Sequence, residues 1–291
     1  MTIARDEPSR SMSALGLLAR LLASKRRDRA DLCYEFMGTR NCPAEDCTYL
    51  NLGFWRDAND YRAAAEAMVD LLGDAAGIAA GDVVVDAGCG FGDQDLRLAT
   101  TRDPARIHAM NVTPVQLDHA RANNADPRID YVKGSATAMP FGDGAIDKVV
   151  SLEAAFHFDT REDFLRESFR VLRPGGRLAV IDLVPLERNG GVVDGGLRGK
   201  VERWASQTPE ANVYGMTFYR AILERLGFVD CALRSIADDV VPGYLAFMRK
   251  LLDDPVAAAR LHPMIRKAMK RAGNPFEKSD YILVTATKPA G

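Results

Sequence analysis

The sequence is short of the features that mark disulfide-built, membrane-spanning and nucleic-acid-binding proteins. Its 291 residues contain five cysteines, Cys33, Cys42, Cys47, Cys89 and Cys231. An odd, scattered set in a chain this long is not a disulfide framework. Cys42 and Cys47 lie near each other, but no second pair and no neighbouring histidine completes a zinc site, so no metal is expected. Long apolar runs are also missing. The best stretch, residues 14–23, falls short of the roughly 20 residues that span a bilayer, and Arg20 interrupts it. The acidic Asp6 and Glu7 ahead of it are wrong for a targeting peptide, so a cytoplasmic location is expected. Neither sign of charge prevails. The 38 Lys plus Arg against 40 Asp plus Glu leave a net charge of −2, which gives no electrostatic reason to bind nucleic acid. No basic run interleaved with aromatics points to RNA either. No internal repeat or low-complexity tract is visible. What is present is 47% hydrophobic and 27% charged, the proportions of a folded soluble protein.

Periodicity organises the chain. Leu15, Leu18, Leu21 and Leu22 recur at helical spacing and run into Lys25, Arg26, Arg27 and Arg29. An amphipathic helix of this kind packs on the body or on a second copy of the chain, or lies on a membrane surface. Apolar strands are predicted at 83–87, 107–112, 129–132, 146–152 and 178–184. They alternate with helices over 95–99, 114–122 and 161–172. The last of these stops at Arg173-Pro174-Gly175-Gly176, read as a breaker. Alternation of this kind means βαβ units and a parallel sheet. A glycine-rich and then polar stretch follows Val184. A helix is predicted around Phe218, Ile222, Leu223 and Leu226, then strands at 229–236 and 281–286. About 40 residues separate those two strands. They carry helical patterns at 244–252 and 256–269, too much for a simple loop, and are read as an inserted cap.

Chemistry first shows in the loop Asp86-Ala87-Gly88-Cys89-Gly90-Phe91-Gly92-Asp93, directly after a strand. Glycine lets backbone approach a ligand closely. The dinucleotide fingerprint Gly-x-Gly-x-x-Gly fails here, because its sixth position is Asp93, an acid that would repel a pyrophosphate at a helix start. Nicotinamide binding is therefore disfavoured.

Asp-x-Gly-x-Gly-x-Gly instead resembles motif I of the class I S-adenosylmethionine-dependent methyltransferases, and further matches follow in that family's order. Asn111, Val112 and Gln116 in Met110-Asn111-Val112-Thr113-Pro114-Val115-Gln116 resemble the ribose-contacting end of the second strand, in the form carried by small-molecule and cyclopropane-forming members. Gly134-Ser135-Ala136-Thr137-Ala138-Met139-Pro140-Phe141 resembles the loop beside the adenine, with Ser135 replacing the usual Asp and the Ala136 backbone still able to serve. The stretch 147–153, which includes Leu152, resembles motif IV. Residues 170–176 resemble the approach to the fifth strand. Upstream, Tyr49-Leu50-Asn51-Leu52-Gly53-Phe54-Trp55 resembles a lid segment over the methionine end of the cofactor, with Asn51 near it; the same residues also read as a turn with core aromatics. The resemblance spans about 50–183. It implies a Rossmann-like seven-stranded, mostly parallel α/β sheet with helices on both faces, and S-adenosylmethionine held by Asn51, Asp86, Gly88, Gly90, Asn111, Val112, Gln116, Ser135, Ala136 and Leu152. Gln116 also reads as an exposed helix residue.

Methyl transfer is an in-line displacement at a sulfonium methyl, so the protein mainly orients the nucleophile and excludes water. A base is needed where the acceptor must lose a proton. His157, just after motif IV at the carboxyl edge of the sheet, is the candidate base, and resembling sugar O-methyltransferases carry a histidine there. It also reads as a structural histidine. Asp182 can face the acceptor or cap a loop. Glu153 reads as a positioning acid or a buried, hydrogen-bonded one. Trp204, Tyr214, Phe218, Tyr219, Tyr244, Phe247 and Met248 are wall residues of an apolar acceptor pocket or core. The expected layout is a helical lid (1–60), a core (61–185, 216–238 and 279–291) and insertions at 186–215 and 239–278. The expected reaction is methylation of a small, apolar metabolite, with oxygen favoured and carbon next. The rival is a cofactor-binding protein of this fold that does not methylate.

Overall fold

In the computed structural model, residues 38–188, 191–193, 207–272 and 274–291 are described, together with Arg20, Leu32, Phe36 and Gly196. The predicted N-terminal helix as a unit, Cys33 and Trp204 lie outside the described residues.

Three consecutive valines open β1 (Val83–Ala87), an interior strand of the sheet. Val84 points into one apolar core and Val85 into the other, which is why the strand reads as a continuous apolar run. On one side of it β2 (Arg106–Asn111) and β3 (Ile129–Lys133) pair in parallel; on the other, β4 (Ile146–Leu152) and β5 (Leu172–Pro185) do the same. A short hairpin, β6 (Glu187–Arg188) with β7 (Gly191–Val192), stands outside the sheet. Strand β9 (Ser279–Thr287) enters antiparallel between β5 and β8 (Val229–Ser235), giving the order β3-β2-β1-β4-β5-β9-β8.

Helices cover both faces. One core is filled by α1 (Tyr61–Ala76) and α2 (Asp93–Arg102), with Leu117 of α3 (Pro114–Asn123) and Val240 of α6 (Ala237–Asp253). The opposite core receives Phe164 and Leu165 from α4 (Arg161–Val171), and Tyr219, Ile222 and Leu223 from α5 (Met216–Arg225). Both α4 and α5 are amphipathic, so each lays one stripe on the sheet.

The structure departs from the sequence reading in three places. Helix α1 went unread, although Asp60 caps its start by accepting from Ala63 N–H and Gly77 ends it at φ 63°. The Arg173–Gly176 stretch does not interrupt the sheet. β5 begins at Leu172 and absorbs these residues in a register shift against β4, while Gly175 and Gly176 bond the Lys288 backbone. The predicted helix over 256–269 is two, α7 (Pro255–Arg260) and α8 (Pro263–Ala272), because proline cannot continue a helix and bars the residue before it from helical geometry. No helix among the described residues is long and apolar enough to cross a membrane.

At the carboxyl end of β1 the chain turns through Gly88 at φ 95°. A Cβ there would lie 2.4 Å from the Ala154 Cβ, so the β1 and β4 loops meet at a distance only glycine permits. Gly88→Ala is expected to lose about 1–3 kcal/mol of stability, read from urea unfolding; an unchanged midpoint would contradict the close approach.

Candidate cofactor and active site

The carboxyl ends of β1, β2 and β4 open into one cavity of about 360 Å³. This is the edge where ligands of open α/β sheets bind. The β1–α2 loop contributes Gly88 and Gly90, the end of β2 contributes Asn111 and Val112, and α3 contributes Gln116. Ser135 and Ala136 follow β3, Leu152 ends β4, and His157 sits on the next turn. From the strap 48–55, residues 48–51, Asn51 among them, line the cavity from the N-terminal side.

Several side chains are set by hydrogen bonds that leave one group over. Asn111 donates to Gln116 Oε1 at 2.8 Å and accepts from Thr113 N–H at 3.2 Å. This orients Gln116, which is 3% exposed and whose Nε2 has no partner among the described residues. A buried amide donor at a cavity wall calls for an acceptor from a ligand. Asn51 accepts from Gly53 N–H at 2.9 Å and donates to Ala65 at 3.4 Å, so it shapes the strap itself. The Ser135 hydroxyl pairs with Thr137 within its own turn, which leaves the buried Ala136 backbone for an adenine edge. Val112 is an exposed apolar residue at the lining.

Two predicted residues stand apart from the cavity. Asp86 is fully buried beneath the glycine loop, where Gln94 Nε2 donates to it and the Asp95 side chain bonds it. Burial pushes both carboxyls upward, Asp95 further because the Asp86 charge adds to the effect. Asp86 therefore braces the loop from below and does not line the cavity. Asp182 is likewise 0% exposed, paired with Arg161 Nε at 2.8 Å. Its Oδ1 accepts Phe156 N–H at 3.1 Å and Leu183 N–H at 2.9 Å. It supports the turn that carries His157, is taken up by Arg161 and these backbone donors, and does not line the cavity.

Arg161 and Asn212 were missed, since nothing in their local sequence marks them. Asn212 donates to the Phe156 and Phe158 carbonyls at 3.2 and 2.8 Å and accepts from Arg161 N–H at 2.8 Å. Arg161 also donates to the Asn212 and Leu183 carbonyls and lies over the Tyr214 and Tyr219 rings. The 3₁₀ turn 155–157 is thus gripped from both sides, and the His157 ring packs on Phe156 with centroids 3.9 Å apart. Tyr214 and Tyr219 belong to this support; Tyr244 and Phe247 join the cores around α6. His108 and His119 do not line the cavity.

No lysine or arginine lines the cavity among the described residues, whereas Asp93, Glu153 and Asp159 do. Asp93 is raised chiefly by burial and accepts from the Thr48 hydroxyl. Glu153 is pushed up to about 8, first by burial, with hydrogen bonds from Tyr281 and Leu52 opposing and the Asp182 charge adding. A carboxyl raised in the folded state binds its proton more tightly there than when unfolded. Its stability contribution is present below its ordinary value of 4.5 and is lost as pH rises to about 8. Glu153→Gln removes that dependence. Relative to the parent, the variant should gain stability between pH 4.5 and 8, by roughly 3–5 kcal/mol at the upper bound; parallel pH profiles in chemical unfolding would contradict this. Asp182→Asn, which leaves the Arg161 charge buried without its partner, should lose about 3–5 kcal/mol, measured the same way.

These residues fit S-adenosylmethionine. The orphaned Gln116 donor, the Gly88 cradle and the wall without a described lysine or arginine suit a phosphate-free cation. The Gly88 and Cys89 N–H groups are taken up by the Met110 carbonyl at 2.9 and 3.0 Å and are not presented to a diphosphate. A family model described as "Methyltransferase domain" matches residues 85–180. Erythromycin 3''-O-methyltransferase of Saccharopolyspora erythraea is 32% identical over 276 residues, 90% of each chain. Among solved structures, the [4+2]-cyclase SpnF superposes with a TM-score of 0.73 at 21% identity, covering 92% of this chain and 98% of its own. Geranyl diphosphate C-methyltransferase from Streptomyces coelicolor A3(2) superposes at 0.69 with 18% identity, covering 91% and 99%. At such identities these two structures speak for the fold alone. The relative matched along nine-tenths of both chains carries more, and with it the chain belongs to the class I S-adenosylmethionine-dependent methyltransferases that act on small molecules.

Proposed function

We propose that the methyl group goes to a hydroxyl oxygen of a small, largely apolar acceptor, and that His157 takes the hydroxyl proton. The observation that carries this reading is that His157 lines the cavity on a turn fixed from two sides by Asp182 and Asn212. Imidazole is the side chain suited to exchanging a proton near neutral pH. An apolar acceptor is supported by Leu50, Leu152, Ala154, Phe156 and Phe158 at the lining, and by the lack there of described cations that would attract a phosphate or carboxylate. Oxygen rather than carbon is supported by the name of the relative matched along nine-tenths of both chains, an O-methyltransferase.

Bound S-adenosylmethionine supplies a methyl group on a sulfonium whose positive charge already activates the leaving group. The rest falls to this chain. The apolar walls hold the acceptor and exclude water, so its hydroxyl is kept in line with the methyl. His157 receives the proton from that oxygen as the new C–O bond forms. Asp182, Arg161 and Asn212 act through the backbone of the turn and are positioning residues. His157→Ala is expected to lower turnover of a hydroxylated acceptor by about 10²–10⁴-fold while S-adenosylhomocysteine affinity stays within about twofold, by calorimetry beside a labelled-methyl assay over hydroxylated natural products. Unchanged turnover would remove His157 from the role of base.

A further inference from the structure

The strap 48–55 is tied to α1 by the Tyr61 hydroxyl, which donates to the Tyr49 and Asn51 carbonyls at 3.0 and 2.8 Å, and by Phe54 N–H donating to the Ala64 carbonyl at 2.8 Å; further attachments reach α2, β4 and α6. At one end the Thr48 hydroxyl bonds the Asp93 carboxylate at the start of α2. At the other, Trp55 N–H donates to the Asp239 carbonyl at 2.8 Å and its ring packs on Gly243 of α6, where a Cβ would lie 2.2 Å from the indole. Between them, Leu52 N–H donates to Glu153 Oε1 at 2.7 Å. The same oxygen accepts from the Tyr281 hydroxyl on β9. One carboxyl therefore joins the strap, the end of β4 and the last strand.

Glu153 makes this junction from an unfavourable backbone conformation. Its φ is +51°, a left-handed geometry that strains a non-glycine residue. Glycine would relieve the strain and would also delete the carboxyl. The backbone is held there by Glu153 N–H bonding the Ile181 carbonyl at 2.8 Å. Strain of this kind persists where the conformation aims a side chain that is needed. Here it aims the carboxyl of a cavity-lining residue at Leu52 N–H, the strap's attachment to the end of β4.

We propose that Glu153 is the latch of the cofactor site, a positioning residue that keeps the strap across the cavity so that S-adenosylmethionine meets a preformed wall. The proposal rests on the reading of this cavity as the cofactor site. A preformed wall spares the ligand the ordering of a loop, so loss of the latch weakens binding without removing any contact to the ligand.

The test compares Glu153→Gly with Glu153→Gln in the full chain, using hydrogen exchange of the strap amides and calorimetry with S-adenosylhomocysteine. The glycine variant relieves the backbone strain, so a purely structural role predicts equal or higher thermal stability with unchanged binding. The latch predicts a folded protein whose 49–55 amides exchange at least tenfold faster and whose S-adenosylhomocysteine affinity falls about tenfold or more. Glutamine keeps an acceptor oxygen and should stay within about threefold of the parent in both. Strap exchange and affinity in Glu153→Gly equal to the parent would overturn the latch. Should the glycine variant not fold, Glu153→Ala gives the same comparison. A parent protein that binds no S-adenosylhomocysteine would instead overturn the site reading, and the exchange measurement, made without ligand, would still judge the latch.

Discussion

The acceptor side of the molecule depends on one buried ion pair, Arg161 with Asp182. Neither side chain is exposed, and they meet at 2.8 Å. A pair taken so fully out of water adds little net stability, because desolvation opposes the Coulomb attraction. Its effect is geometric. Asp182 has one oxygen for Arg161 and the other for the Phe156 and Leu183 N–H groups. Arg161 continues the network to Asn212 and under two tyrosine rings. The turn carrying His157 is a single 3₁₀ turn that could not hold a side chain steady by itself. Residues distant in sequence, one on β5 and one just before α5, fix it by its backbone.

On the cofactor side electrostatics selects by charge. A sulfonium cation that enters this cavity meets no described lysine or arginine, and of the acids at the lining Glu153 is held protonated near neutral pH by its burial. A dinucleotide would bring two phosphates into the same surroundings, with the first loop N–H groups already bonded to Met110. Below the loop, Gln94 donates to the buried Asp86 carboxylate and braces it.

Local pattern carried most of the sheet and most of the cavity. Strands β1 to β4 were readable because each is a short apolar run closed by a turn. The cavity residues after β1, β2 and β3 were readable through the resemblance of their motifs, in order, to those of the methyltransferase family. What escaped depends on contacts between distant segments. Arg161 looks like any first-turn helix residue and Asn212 like any loop residue; only the fold brings them to the 155–158 backbone. Asp86 and Asp182 both sit at strand ends, where acids often face ligands, and the sequence held no sign that Gln94 and Arg161 would occupy them. Helix α4 stops ahead of the Arg173–Gly176 stretch, as the breaker reading has it, but β5 begins at Leu172 and not at 178. The glycines of that stretch do turn the chain, but β9 supplies backbone partners that keep it within the sheet.

Methyl transfer asks little acid–base power of a protein and much orientation, since the three reacting atoms must lie on one line. Two supports make that alignment, and they meet on one short piece of chain. Glu153 ties the strap to the end of β4, and three residues later the Phe156 backbone is held by Asp182 and Asn212. The wall against which the cofactor lies and the turn that presents His157 are therefore parts of one segment, 152–158, anchored on β5 by Glu153 N–H at the Ile181 carbonyl and by Phe156 N–H at the Asp182 carboxylate. A shift of either support moves the other. Side chains that never touch a reactant can thus govern turnover here, because tolerances at a reacting centre are a fraction of an ångström.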